Sequence, residues 1–298
     1  MRRPTPMLAA CEAARVAFAL ALFAIPAAQA ADVEAPTQCP AQVDSIALTP
    51  QSAVRELNKA PRYTQGLLVH DGRLYESAGM FGHSGVYALA MDGKDLSRLT
   101  TLDDSRFGEG LAILDGKAYN LTWRSQQAYV YDIQADGNFE ATDPATLSYD
   151  GEGWGLTPYD GQLLLSDGTA TMRLVDPSDF SVTREIAVLA GKRPVTGLNE
   201  LEAVGDHVLA NLYGPPIILA IDVGTGCVTL AIDGSPLAKA VRPVLSTGPD
   251  AICGSFGCTA GDYVLNGIAY EAERDEIYVT GKNWPTIYVF ANPLASRR

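Results

Sequence analysis

The sequence predicts an all-β protein, a five-bladed β-propeller closed by an N-terminal strand. Three observations carry that reading. A short motif recurs five times, as Gln65-Gly66-Leu67, Glu109-Gly110-Leu111, Trp154-Gly155-Leu156, Asn199-Glu200-Leu201 and Asn266-Gly267-Ile268. Its first position, the slot, recurs at intervals of 44, 45, 45 and 67 residues. Each copy opens a run of short β-prone segments separated by turn residues, and a strand-rich period near 45 is that of a propeller blade.

Residues 1–30 read as a secretory signal peptide. Arg2 and Arg3 precede an apolar stretch at 16–28, and Ala28-Gln29-Ala30 supplies a small-x-small cleavage site. The apolar stretch is too short for a membrane span. The expected product is a secreted protein, periplasmic in a Gram-negative host, with no membrane attachment after cleavage. Residues 31–62 form an N-terminal segment holding one strand candidate, Val43–Thr49, expected to close the ring on the last blade. The propeller occupies 63–298.

Within each unit the slot opens the innermost strand. In the first three units an Asp-Gly pair follows six residues later: Asp71-Gly72, Asp115-Gly116 and Asp160-Gly161. Such pairs suit the positive φ angles of two-residue hairpin turns. A second hairpin follows, marked by Asp92-Gly93, Asp136-Gly137, Asp176-Pro177 and Gly224-Thr225-Gly226. Unit five ends after Ile287–Phe290 without an outer strand. The long final interval comes from 235–262, a Gly- and Pro-rich stretch read as a loop insertion at the channel mouth.

The chain carries a net charge of −13. Losing the leader removes Arg2, Arg3 and Arg15 against Glu12, which makes it more acidic still. Such a surface argues against nucleic-acid binding. Beyond the leader four cysteines remain, and an even number in an exported chain suggests disulfides. Four cysteines allow three pairings. The closeness of Cys253 and Cys258 favours that pair, which leaves Cys39 with Cys227. His70, His83 and His207 are not at metal-ligand spacing to the cysteines.

In a propeller the innermost strands line the central channel, so the slots Gln65, Glu109, Trp154, Asn199 and Asn266 converge on one mouth. A lone carboxylate among amides and an indole should have a raised pKa through desolvation, poised for proton transfer. The second strands end in Trp123, Tyr213 and Lys282, equivalent by alignment to the slots and expected to ring the same mouth. Asp167 and Glu202 are read as turn or surface residues, and Trp284 as blade packing. The Gly151-Glu152-Gly153-Trp154-Gly155 run opens a strand instead of a helix, so it is no phosphate loop.

Nine motifs in order carry a resemblance. They are Tyr63–Leu67, Tyr75-Glu76-Ser77, Phe107–Leu111, Leu121-Thr122-Trp123, Gly151–Leu156, Ser166–Thr169, Leu198–Glu202, Leu265–Ala269 and Thr280-Gly281-Lys282. Together they resemble the plant-type glutaminyl-peptide cyclotransferases, also found in bacteria. The resemblance implies a five-bladed propeller that converts an N-terminal glutamine to pyroglutamate and releases ammonia. It implies peptide or protein N-termini as partners and no cofactor or catalytic metal, and the protein is expected to be a monomer. By the same resemblance Glu109 is the catalytic carboxylate, with Asn199 and Lys282 assisting. Gln65, Trp123, Trp154, Asn199 and Lys282 match the family's pocket residues. With Phe107, Tyr213 and Asn266 from the same mouth, Gln65, Trp123 and Trp154 make the expected substrate-binding set. Tyr213 stands where the family is expected to carry Trp, and Tyr63 where it is expected to carry Phe. Two other readings stay open: a metal-dependent propeller lactonase or related hydrolase, and a non-catalytic peptide-binding propeller.

Overall fold

The computed structural model describes residues 39–245 and 263–295. Two strands come first, β1 (Asp44–Ala47) and β2 (Arg55–Asn58). Blade one is β3 (Thr64–His70), β4 (Arg73–Ala78), β5 (Gly85–Ala90) and β6 (Asp95–Arg98). Blade two is β7 (Gly108–Leu114), β8 (Lys117–Thr122), β9 (Gln127–Ile133) and β10 (Phe139–Ser148). Blade three is β11 (Leu156–Tyr159), β12 (Gln162–Leu165), β13 (Thr171–Val175) and β14 (Val182–Ala187). A small ribbon, β15 (Leu189–Ala190) and β16 (Arg193–Pro194), leads to blade four: β17 (Leu198–Val204), β18 (His207–Leu212), β19 (Ile217–Asp222) and β20 (Val228–Asp233). Helix α1 (Ser235–Leu245) follows, then blade five: β21 (Leu265–Glu271), β22 (Glu276–Gly281) and β23 (Thr286–Ala291).

The innermost strands β3, β7, β11, β17 and β21 neighbour one another in that order, and β21 returns to β3, so the ring is closed. Alternation along each strand sends successive side chains to opposite faces. Leu67 therefore packs toward blade five with Tyr278 and Ile287, while Leu68 packs toward blade two with Leu111 and Ile113. Every pair of adjacent blades shares one such apolar cluster. The Asp-Gly turns adopt the expected geometry: Asp71, Asp115 and Asp160 have φ of 47°, 49° and 50°, and the following glycines 67°, 74° and 71°.

Two expectations are corrected. The ring is closed by β2, antiparallel to β23, with Leu57 opposite Ile287. The Val43–Thr49 segment instead adds a fifth strand to blade four, as β1 runs parallel to β20. The reason is covalent. Cys39 is bonded to Cys227, the residue before β20, so the chain leaving Cys39 runs alongside β20 in the same direction. The start of the 235–262 insertion is a helix, not a loop. Pro236 occupies its first turn, where a missing N–H costs nothing. Leu237 and Val241, four residues apart, bury against Leu48, Trp284 and Leu294. The proposed leader and the Cys253–Cys258 pair lie outside the described residues.

Candidate active site

The repeated motif is a device for aiming one side chain. In blades one, two, four and five the pairing of the inner strand with its neighbour slips at the slot, between Thr64 and Gly66, Gly108 and Leu111, Leu198 and Leu201, and Leu265 and Ile268. These β-bulges bend the strand and re-aim a residue. The glycine after the slot lets inner strands crowd together. A Cβ on Gly66 would stand 2.8 Å from Leu111 N, and one on Gly155 would stand 2.1 Å from Asn199 O. Side chains on or just after the second strands of blades one, three and four then fasten the motif of the following blade. Ser77 Oγ donates to Glu109 O (2.6 Å), Ser166 Oγ donates to Asn199 O (2.6 Å), and Gly267 N donates to Asn211 Oδ1 (3.0 Å).

Blade four breaks the pattern with Glu200 in the glycine position. Its buried carboxyl group accepts from Leu67 N (3.2 Å) and Ile268 N (2.9 Å), in blades one and five. Glu202, two residues on, shares its direction and accepts from Tyr270 N at 2.7 Å. Glu202 is thus buried inside the ring, contrary to the surface or turn role expected of it. Burial pushes Glu200 well up and Glu202 up to about 8. Asp167 does serve a turn, accepting from Thr169 N at 3.0 Å.

At the mouth a cavity of about 230 Å³ is lined by Tyr63, Gln65, Phe107, Glu109, Trp123, Arg124, Glu152, Trp154, Asn199, Tyr213 and Lys282. Eight of the nine residues named from sequence are therefore together. The ninth, Asn266, lies beneath: its Nδ2 donates to Thr64 O (3.0 Å) and to Gln65 Oε1 (3.1 Å). That contact sets the Gln65 amide so that Nε2 donates to Glu109 Oε1 at 3.0 Å. A larger open groove of about 640 Å³, beside Arg173 and Phe180, shares no lining residue with this cavity.

Glu109 is 4% exposed. Burial holds its pKa well above the ordinary carboxylate range; the positive charge of Lys282 opposes the shift and the negative charge of Glu152 adds to it. Lys282 is buried, not a solvated surface cation. Its ammonium lies 4.5 Å from the Tyr63 ring centre and 5.5 Å from that of Tyr213. Phe107 meets Tyr63 and Trp123 edge-on at 5.8 and 5.7 Å, and Trp154 meets Tyr213 at 5.5 Å. Trp284, by contrast, is fully buried between blades.

The mouth holds a second carboxylate, so Glu109 is not the lone one expected. Glu152 comes from the run set aside as glycine-rich. Burial pushes its pKa up, but hydrogen bonds from Trp154, Arg124 and Trp123 outweigh that and leave it lowered. Its position two residues before a slot was the available signal. Among the described residues, no group of three or more His, Cys, Asp or Glu side chains is placed to hold a metal ion.

Fold and site define a β-propeller with an acid–base pocket at one mouth of its channel. The glutamine cyclotransferase family model matches residues 19–291. A glutaminyl-peptide cyclotransferase of Arabidopsis thaliana is 32% identical over 227 residues, which span 76% of this chain and 66% of the plant protein. The crystal structure of the Myxococcus xanthus glutaminyl cyclase superposes with a TM-score of 0.69 at 29% identity, covering 83% of this chain and 97% of that one. The chain belongs to the glutamine cyclotransferase family.

Proposed function

We propose that this protein cyclises the N-terminal glutamine of peptides or proteins to pyroglutamate, with release of ammonia and without a catalytic metal. The observation that carries the reading is Glu109: a buried acid, hydrogen-bonded to Gln65, beside the Lys282 cation, in an aromatic-walled cavity sized for one side chain. The substrate's α-nitrogen attacks its own side-chain amide carbon, the new C–N bond closes a five-membered ring, and the amide C–N bond breaks. Holding the side chain folded over the amine supplies effective molarity.

Proton transfer is the remaining demand. An α-amine has a pKa of about 7.7–8.0 and enters mostly protonated near neutral pH. A carboxyl raised by burial narrows its gap to that amine, which favours proton exchange between the two. As a carboxylate, Glu109 takes one proton from the α-ammonium group and delivers it to the departing nitrogen, and it then accepts the second proton that the new ring nitrogen must lose and passes it to solvent. Asn199 and Lys282 donate to the oxyanion that develops on the amide carbonyl. Gln65 holds Glu109 in position, and Trp123 and Trp154 exclude water. The enzyme works as an exported monomer, in the periplasm of a Gram-negative host.

The direct test is ammonia release from a Gln-initiated peptide in the presence of EDTA. Release at an unchanged rate is expected. Loss of release on chelation supports a metal-dependent hydrolase instead, and binding without release supports a peptide adaptor.

A further inference from the structure

Glu152 sits in the link between β10 and β11, and three donors from two blades converge on its carboxylate. Trp123 Nε1 donates to Oε2 at 2.7 Å and Trp154 Nε1 donates to the same oxygen at 2.9 Å. Arg124 Nε donates to Oε1 at 2.8 Å. The Arg124 guanidinium then lies 3.9 Å from the Trp123 ring centre, so one face of that indole is covered by a cation that Glu152 itself fixes. The Glu152 side chain keeps one third of its surface exposed.

An indole N–H has one donor and no acceptor capacity, so each ring has a single hydrogen bond to add to its packing contacts. Trp123 follows the second strand of blade two, and Trp154 fills the slot of blade three. Without a shared acceptor, the two rings would be set independently by their own blades. One carboxylate oxygen taking both N–H groups couples them into a single wall. Charge-assisted hydrogen bonds are the strong kind, and a neutral acceptor would not replace them.

We propose that Glu152 is the positioning residue of this site: it locks Trp123 and Trp154 in the orientation that folds the substrate's glutamine side chain against its α-amine. The inference rests on the cyclotransferase reading for its effect on turnover, but not for its effect on the indoles. A glutamine at this position turns a donor amide toward Arg124 and leaves the two indole N–H groups only a neutral acceptor oxygen, so the Arg124 bond is lost and the charge assistance to both indoles goes with it.

The test uses the full-length mature protein with Glu152→Gln, Trp123→Phe and the double variant. Only three tryptophans exist, and the third, Trp284, is fully buried elsewhere. Fluorescence therefore reports on the pair. Glu152→Gln is expected to redden the emission and increase quenching by acrylamide, at unchanged circular dichroism. On a Gln-initiated peptide kcat/KM should fall about tenfold, the equivalent of about 1.4 kcal/mol, chiefly through KM. In the Trp123→Phe background, which keeps a ring but removes one N–H, the further loss should be smaller, because the two groups act as a unit. Unchanged emission and quenching in Glu152→Gln would overturn the proposal even if the wild type proved inactive. Full additivity of the two kinetic losses, with an active wild type, would overturn it while leaving the cyclotransferase reading intact.

Discussion

Replacing Glu109 by glutamine separates chemistry from architecture. The Glu109 carboxyl group accepts a hydrogen bond from Gln65 Nε2 at 3.0 Å, and an amide oxygen at the same place accepts it equally well. Its surroundings close it to 4% exposure, and glutamine has nearly the same volume, so no cavity opens. What is lost is the ability to take and return a proton. General acid–base catalysis contributes about 10²–10⁴-fold, so kcat should fall by that factor, or about 2.7–5.5 kcal/mol of activation free energy. Stability should move the other way. A carboxyl whose folded pKa is raised keeps a proton that the unfolded chain releases, so it destabilises the fold progressively as pH rises from the ordinary carboxylate range toward the folded value. Glutamine removes that penalty. The expected pair of results at pH 8 is a collapse of ammonia release from Gln-initiated peptides and a higher Tm by calorimetry. Near-normal turnover would refute the assignment of the proton shuttle. A falling Tm at pH 8 would show that the Lys282 cation, not burial, governs this acid, and the reasoning would fail there.

Three further outcomes follow from the same contacts. Lys282→Met, which keeps the stem against Tyr63 and Tyr213, should cost about 10²–10³ in kcat, the usual loss of one oxyanion donor. Because Lys282 holds Glu109 down, the Glu109 limb of the pH–rate profile should also move to higher pH. Glu202→Gln should flatten the stability profile between about pH 4.3, the unfolded value, and about 8, the folded one. In the wild type, stability should fall through that window by on the order of 5 kcal/mol at most, as urea titrations at several pH values would measure. The Cys39–Cys227 bond spans 188 residues of sequence. Replacing both cysteines by serine should lower stability by up to about 5 kcal/mol on chain-entropy grounds, with activity retained at low temperature, where the fold survives.

The blades were legible because their signals are local. Asp71-Gly72 or Asp115-Gly116 dictates a hairpin whatever surrounds it, and the 45-residue period needs no knowledge of contacts. The mouth was legible because a slot repeated in register must converge when the ring closes. What escaped depended on distant partners. Which N-terminal strand closes the ring turns on the covalent tether at Cys227 and on Leu57 finding Ile287, more than 200 residues away in the chain. The start of the 235–262 segment hid a helix because prolines counted against one, though Pro236 at its first turn is compatible. Glu152 was passed over since its meaning lies in two indoles from two blades, and no spacing rule within one blade reveals that. The bulges in blades one, two and five had a visible signal in the glycine that follows the slot, which is also what allows neighbouring inner strands to touch, whereas the bulge in blade four had none.

The one exception to that glycine is instructive about how a symmetric ring acquires an asymmetric site. Four glycines let the inner strands approach, but a fifth in blade four would leave Leu67 N and Ile268 N without the acceptor they now find in Glu200. Each unsatisfied buried donor costs about 1–3 kcal/mol, so a side chain reaching across the channel is favoured there over further close approach. Only a long acceptor spans the distance, and burying it raises its pKa, against the two backbone N–H groups that favour its charged form. The same bridge joins blades one, four and five, which carry Gln65, Asn199 and Lys282 to the mouth. The channel interior therefore fixes the relative positions of groups carried by separate blades. Glu152 does the corresponding work at the rim for blades two and three. Two carboxyl groups with opposite environments thus hold the two sides of the mouth, and the third, Glu109, is left between them, steadied by Gln65.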